Sequence, residues 1–487
     1  MKLKITRMQR TFSPQPLPGE GGGLPKRIIE YGLLALIVFS PLPAASVNEW
    51  SILIIQLTVL LMTGTYVLMN RKPVLNSYLA AHLRWPSRAF TGLFVLLAFQ
   101  IVPLPKFIVR LFSPGTYTFH ELFAPGFANR DFLSLSVAPA QTFRAGLELI
   151  TYVLVGFLLI RTVTRGHKIR RIILFLVGMG AFEAFYGLYE LSTKNPHILF
   201  YKKIYSPESV TGTFVNRSHL SGYLEMIVPL AIGLIIARMD FFSLGGEGLK
   251  EKILHMTGKE HLTNVLLVAA VVVMSLGIIF SQSRAGIFVL VFTFLLFLEF
   301  IVFHFSRFGR RRRWIRNFIW VTFLLITVIA LYIGIGSTIQ RFALDNLLQE
   351  NRPLYWSNVT RIIAAFPVLG TGLGTFVSVY PAYEKLAGPE LLLVHAHNDL
   401  LEYFSELGAV GMVFLLGGIL YMGLHAFLSW RERKNPDVKG IVLGGTISLI
   451  VILVHSLTDF NLHIPANMLL FSIVLSLTFV TAYYRKA

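Results

Sequence analysis

Two histidines, an amide and three carboxylates fall within twelve residues, from His395, His397 and Asn398 to Asp399, Glu402 and Glu406. They end the longest polar segment of the chain and open directly into an apolar run, with Gly408 and Gly411 close behind. A neutral histidine near pH 7 can take a proton from a hydroxyl, and a nearby carboxylate can hold its tautomer. Arginines recur in the other unusual polar stretches: Arg217 after Thr211–Asn216, Arg284 in Ser281-Gln282-Ser283-Arg284, and Arg352 and Arg361 in the long polar segment. Guanidiniums grip phosphate or pyrophosphate bidentately and can stabilise it as it leaves. A base among arginines suits group transfer from an anionic, lipid-anchored donor.

The elements that must position these residues are membrane spans. Of 487 residues 54% are hydrophobic and only 14% charged, well below the charged fraction of a soluble chain. Apolar runs near the roughly 20 residues that cross a bilayer recur along the sequence. Counting them gives an all-α integral membrane protein of about twelve spans. Residues 1–26 read as a disordered cytosolic tail without the pattern of a signal peptide. Residues 27–336 hold spans one to nine, with the third at about Phe90 to Leu104 and an interfacial loop at 105–144. Residues 337–399 form a large loop whose runs Ile339–Leu348 and Leu354–Ala365 suggest short amphipathic helices, and 400–487 hold the last three spans.

Basic clusters precede span one (Lys2, Lys4, Arg7, Arg10) and lie between two and three (Arg71, Lys72, Arg84, Arg88), four and five (Arg161 to Arg171), eight and nine (Arg310 to Arg316), and ten and eleven (Arg431, Arg433, Lys434). With twelve spans all of them fall on one side, which the positive-inside rule makes cytosolic, as are both termini. The net charge of +19 is thereby a topology signal and no sign of nucleic acid. There are no cysteines, so thiol chemistry is excluded. The five polar constellations, including His455–Asn461 with Asp459 and His463, then share the outer face.

Each has a plainer reading. Arg284 can cap a turn and snorkel to headgroups, although an outer arginine runs against the charge rule. Gly370, Gly372 and Gly374 fit a tight backbone turn better than a phosphate loop. Glu402 and Glu406 can line a site or pair with arginines. His395, His397, His455 and His463 match no closed metal motif, so no metal or other cofactor is expected.

His397-Asn398, nine residues, Gly408, two residues and Gly411 resembles the signature of bacterial O-antigen ligases and polymerases. Phe366–Gly372 and Ser281–Gly286 resemble other patches of that superfamily, the likeness running over about 205–465. The resemblance implies a GT-C-like fold in the bacterial inner membrane, with a large periplasmic loop between spans nine and ten and a periplasmic site. It implies transfer of a glycan from undecaprenyl pyrophosphate to the lipid A core or to another lipid-linked glycan, without metal; direct displacement at the anomeric carbon then predicts inversion. Carried across, His397 is the base and Arg284 and Arg352 hold the pyrophosphate. Arg361 is the alternative to Arg352 as the loop arginine and Arg217 a further candidate, while Asn398, His395, Glu402, Tyr355 and Asn216 are expected substrate contacts, His395 from outside the signature. The rival is a flippase-like carrier using Glu148, Glu183, Glu190, Glu225 and Glu299, against which stand the missing internal repeat and the gathering of polar motifs on one face.

Overall fold

The computed structural model describes residues 24–69, 77–163, 165–194, 197–199, 201–203, 205–238, 259–304, 309–343, 351–384, 393–433 and 435–483. The expected tail up to residue 23, the basic residues Arg71, Lys72 and Lys434, and the second half of the expected helix at Ile339–Leu348 lie outside them. The long helices are α1 (Leu24–Phe39), α2 (Glu49–Met69), α3 (Ser77–Ile101), α6 (Pro139–Thr162), α7 (Gly166–Thr193), α8 (Arg217–Arg238), α9 (Lys259–Phe280), α10 (Arg284–His304), α11 (Gly309–Ile333), α15 (Asp399–Glu432), α16 (Pro436–His455) and α17 (Pro465–Tyr483). Each corresponds to one expected span. Ten of them, all but α1 and α3, are long and apolar enough to cross a membrane by length and composition.

Some boundaries moved. The third helix begins thirteen residues earlier than the apolar run, at Ser77, because Arg84, Pro86 and Arg88 interrupt the hydropathy but not the helix. The segment 105–144 is more ordered than a loop. It holds α4 (Lys106–Phe112), α5 (Pro114–Phe123) and a small antiparallel pairing of Leu104–Pro105 with Phe132–Leu133. The segment after α11 contributes three short helices, α12 (Gly336–Gln340), α13 (Arg352–Ala365) and α14 (Phe376–Tyr383).

The axle of the bundle is α8, buried at every residue from His219 to Ala237. It lies backbone to backbone against α16, because Gly233, Gly440 and Gly444 carry no side chain between them. A Cβ on Gly440 would stand 2.3 Å from the Gly233 carbonyl oxygen. Without a hydrophobic force between helices in lipid, such small-residue contacts and interhelical hydrogen bonds must hold the bundle. Glu225 of α8 pairs with His455 of α16 at 2.8 Å, both wholly buried, and Ser448 donates to the Met226 carbonyl. Glu183 of α7 accepts from the Thr213 amide and hydroxyl. Two of the glutamates that a carrier would need are thus engaged in packing.

Candidate functional site

The head of α15 is tied down on both sides of His397. Asn398 is its N-cap, its Oδ1 accepting from the Leu401 amide while its Nδ2 donates to the Leu457 carbonyl. The Asp399 amide donates to the Ser456 and Asp459 carbonyls. On the other side, the Ala396 amide donates to Glu402 Oε2 and Trp356 Nε1 donates to the Ala396 carbonyl. Between these anchors His397 takes φ 50°, a left-handed conformation that costs a histidine energy and that the surrounding bonds enforce.

That twist brings the imidazole to the turn after α16. Nδ1 of His397 lies 3.2 Å from Asp459 Oδ1, and its ring meets Phe460 edge-on. An ionised Asp459 accepts from Nδ1–H, which leaves Nε2 as the basic nitrogen. Asp459 is buried, and burial by itself would raise its pKa. The hydrogen bond from His397 and the charges of His219 and Arg352 outweigh burial and hold the carboxyl far below its usual range.

Four arginines converge beside this pair. Arg217, Arg284, Arg341 and Arg352 line a cavity of about 50 Å³, together with Gln282 and Ser283. Three of the four are the first residues of helices: Arg217 of α8, Arg284 of α10 and Arg352 of α13. Local caps set two of those starts, of α8 and α10. Asn216 Oδ1 accepts from the Ser218 amide, and Ser283 Oγ accepts from the Gly286 amide. A helix N-terminus already carries partial positive charge, and a cation there costs about 0.3–1 kcal/mol. Three such cations at three converging helix starts work against folding and favour a bound anion. Arg352 joins the cavity to the histidine: Nη2 stands 3.6 Å from Asp459 Oδ2, and Nη1 donates to the Thr458 carbonyl.

Arg361 is elsewhere. It follows Arg352 by nine residues, which at about 100° per residue places it on the opposite face of α13. Its guanidinium meets Asn358 Oδ1 at 3.5 Å and does not line the cavity. Tyr355, three residues from Arg352, shares that residue's side of the helix and is half-buried.

His395 belongs to a second cluster. Its Nδ1 lies 2.8 Å from Glu402 Oε1, and its ring stacks on Phe460. His463 sits between Asp399, at 2.6 Å, and Glu402, at 3.4 Å. Burial would lower the pKa of His463, but the charge of Glu402 and the hydrogen bond to Asp399 raise it to about 9. His395, Glu402 and His463 offer ligand atoms within 4.8 Å of one another, enough to hold a cation. Binding a metal there would require His463 to release its proton, since a metal needs the neutral imidazole.

The glycines serve a clamp. Gly408 breaks α15 with φ 62° and ψ −175°, a conformation open essentially to glycine alone. The break frees the Ser405 and Glu406 carbonyls, which accept from the Thr371 and Gly372 amides. The Ala409 and Val410 amides donate in turn to the Pro367 and Val368 carbonyls. Gly370 takes φ 69° here, and a Cβ on it would stand 2.2 Å from the Glu406 carbonyl. Glu406 completes the clamp by accepting from the Phe376 amide. The glycine run is a tight turn that docks 366–376 onto the helix headed by His397.

Two members of the site were missed or underweighted in the sequence. Arg341 carries no motif of its own, although like Arg284 it lies close to the end of an apolar run. Asp459 was noted only as part of an outer patch, because its partner lies 62 positions away.

Residues 269–416 match the family model described as O-antigen ligase. The match includes Arg284, Arg341, Arg352, His397 and Gly408, and it leaves out Arg217 and Asp459. No curated protein matches the chain.

Proposed function

We propose that the chain, whose residues 269–416 match the O-antigen ligase model, moves a glycan from a polyprenyl pyrophosphate donor, undecaprenyl pyrophosphate in a bacterium, to an acceptor hydroxyl. The site faces the periplasm of a twelve-span inner-membrane protein whose termini are cytosolic. The acceptor is the lipid A core or a second lipid-linked glycan. The observation that carries this reading is the four-arginine cavity joined through Arg352 and Asp459 to His397.

The step balances without a further reagent. The acceptor oxygen forms a bond to the anomeric carbon as the bond from that carbon to the pyrophosphate oxygen breaks. Attack opposite the leaving group inverts the anomeric configuration. Nε2 of His397 takes the acceptor proton, and the imidazolium that results is held by ionised Asp459. The negative charge that builds on the leaving pyrophosphate is met by Arg217, Arg284, Arg341 and Arg352. Asn216 and Asn398 set the helix heads that carry Arg217 and His397, while His395 and Glu402 brace the segment leading into the base. Tyr355 flanks the donor beside Arg352, and Arg361 stands apart.

The test is purified protein in lipid with undecaprenyl-pyrophosphate glycan and two acceptors, lipid A core or a second donor molecule. Transfer to the core alone identifies a ligase, and a ladder on the donor identifies a polymerase. His397→Ala is expected to abolish both transfer and release of undecaprenyl pyrophosphate, and full activity in that variant would overturn the assignment.

A further inference from the structure

A second cavity, of about 310 Å³, lies between α3, α6, α15 and α17 and shares no lining residue with the arginine cavity. Its walls are mainly apolar, with Phe90, Phe94, Phe157, Leu415, Met422 and Phe471 prominent. Of its few hydroxyls, Ser472 donates to the Tyr152 carbonyl at 2.6 Å. A space this large and apolar offers water too few partners and suits a hydrocarbon chain.

The depth of the cavity narrows the choice. Along α3 the lining runs from Leu83 to Phe94, which at about 1.5 Å per residue spans about 16 Å. Along α6 it runs from Leu149 to Arg161, about 18 Å on the same rise. Half of a hydrocarbon core about 30 Å thick is about 15 Å, so the cavity is as deep as one leaflet. Its one charged lining residue is Arg161, in the last turn of α6, with its guanidinium over the Phe157 ring at 5.1 Å. The charge asymmetry puts that end on the cytosolic side with Arg165, Lys168, Arg170 and Arg171, facing the leaflet where anionic lipids gather.

We infer that this cavity binds one anionic phospholipid of the cytosolic leaflet, an acyl chain inside and its phosphate on Arg161. The inference rests on the membrane orientation and not on the transfer chemistry. One wall consists of Leu415, Ile419 and Met422, which recur at helical spacing on α15 below the Gly408 break. The lipid would therefore brace the helix whose head carries His397.

The test is native mass spectrometry of the full-length protein in detergent, offered equal amounts of phosphatidylglycerol and phosphatidylcholine with identical chains. The wild type is expected to retain one phosphatidylglycerol in about tenfold preference, the effect of one charge-assisted contact. Arg161→Gln should keep a lipid but lose the preference. Thr91→Trp, from an exposed position on the α3 wall, should fill the cavity and lose the lipid, with Leu83→Trp as a second filling variant if the first unfolds early. A wild type that retains no lipid, an undiminished preference in Arg161→Gln, or undiminished retention in a folded filling variant would each overturn the inference. No glycan transfer is read, so the fate of that proposal does not bear on the result.

Discussion

Asp459→Asn is the most informative single change, because the two carboxylate oxygens do different things. Oδ1 faces the Phe460 amide at 2.9 Å and His397 Nδ1 at 3.2 Å, whereas Oδ2 faces Arg352 at 3.6 Å. An asparagine of the same shape has one acceptor. With its carbonyl at the Oδ1 position, its NH₂ meets the guanidinium of Arg352; flipped, its NH₂ meets the Phe460 amide and His397. Either way a donor faces a donor at a buried position, and the imidazolium formed during transfer loses its counter-charge. General-base catalysis contributes about 10²–10⁴-fold, so we expect kcat to fall about 10²–10³-fold, or about 2.7–4 kcal/mol. The donor KM should rise less, through the loosened Arg352. The assay is steady-state release of polyprenyl pyrophosphate by reconstituted protein, with thermal unfolding to show that the variant is folded. A folded variant with kcat within about threefold of wild type would refute the role given to this carboxylate.

Arg341→Gln should raise the donor KM about tenfold, the loss of one charge-assisted contact, while Arg361→Gln on the far face of α13 should change it less than twofold. Equal effects of the two in titrations of donor would contradict the cavity. Gly408→Ala puts a Cβ 2.4 Å from the Val368 carbonyl at a φ of 62°, and should cost about 3 kcal/mol or more with loss of activity. Gly417→Ala, on the same helix with open space around it, should be neutral or stabilising by up to about 1 kcal/mol in the same melting experiment. His463 is raised in the folded state to about 9, so its contribution is complete below its unfolded value of about 6.5 and is lost as pH rises through about 9. Melting temperature should fall between pH 7 and 10, by the equivalent of about 3 kcal/mol, and His463→Gln should flatten that slope. A slope unchanged in the variant would remove His463 as its source.

The sequence by itself determined the membrane-spanning helices and the recurrence of arginine and histidine close to their ends. In lipid every backbone group must bond within its own helix, so spans are written locally in hydropathy and in the placement of Lys and Arg. The pairing of Gly408 with a tight glycine turn was legible as glycines, though not as a broken helix and a turn exchanging four backbone hydrogen bonds. Only the tertiary structure separated Arg352 from Arg361, added Arg341, and gave His397 its partner in Asp459. It also showed Asn216 and Asn398 as helix caps, and Glu402 as the brace of His395. The caps and the brace are local contacts, two, three and seven positions apart, but the pairs His397–Asp459 and Arg352–Asp459 join residues 62 and 107 positions apart, set by how closely the helices approach one another. That distance is fixed by packing in three dimensions, and no local pattern along the chain encodes it.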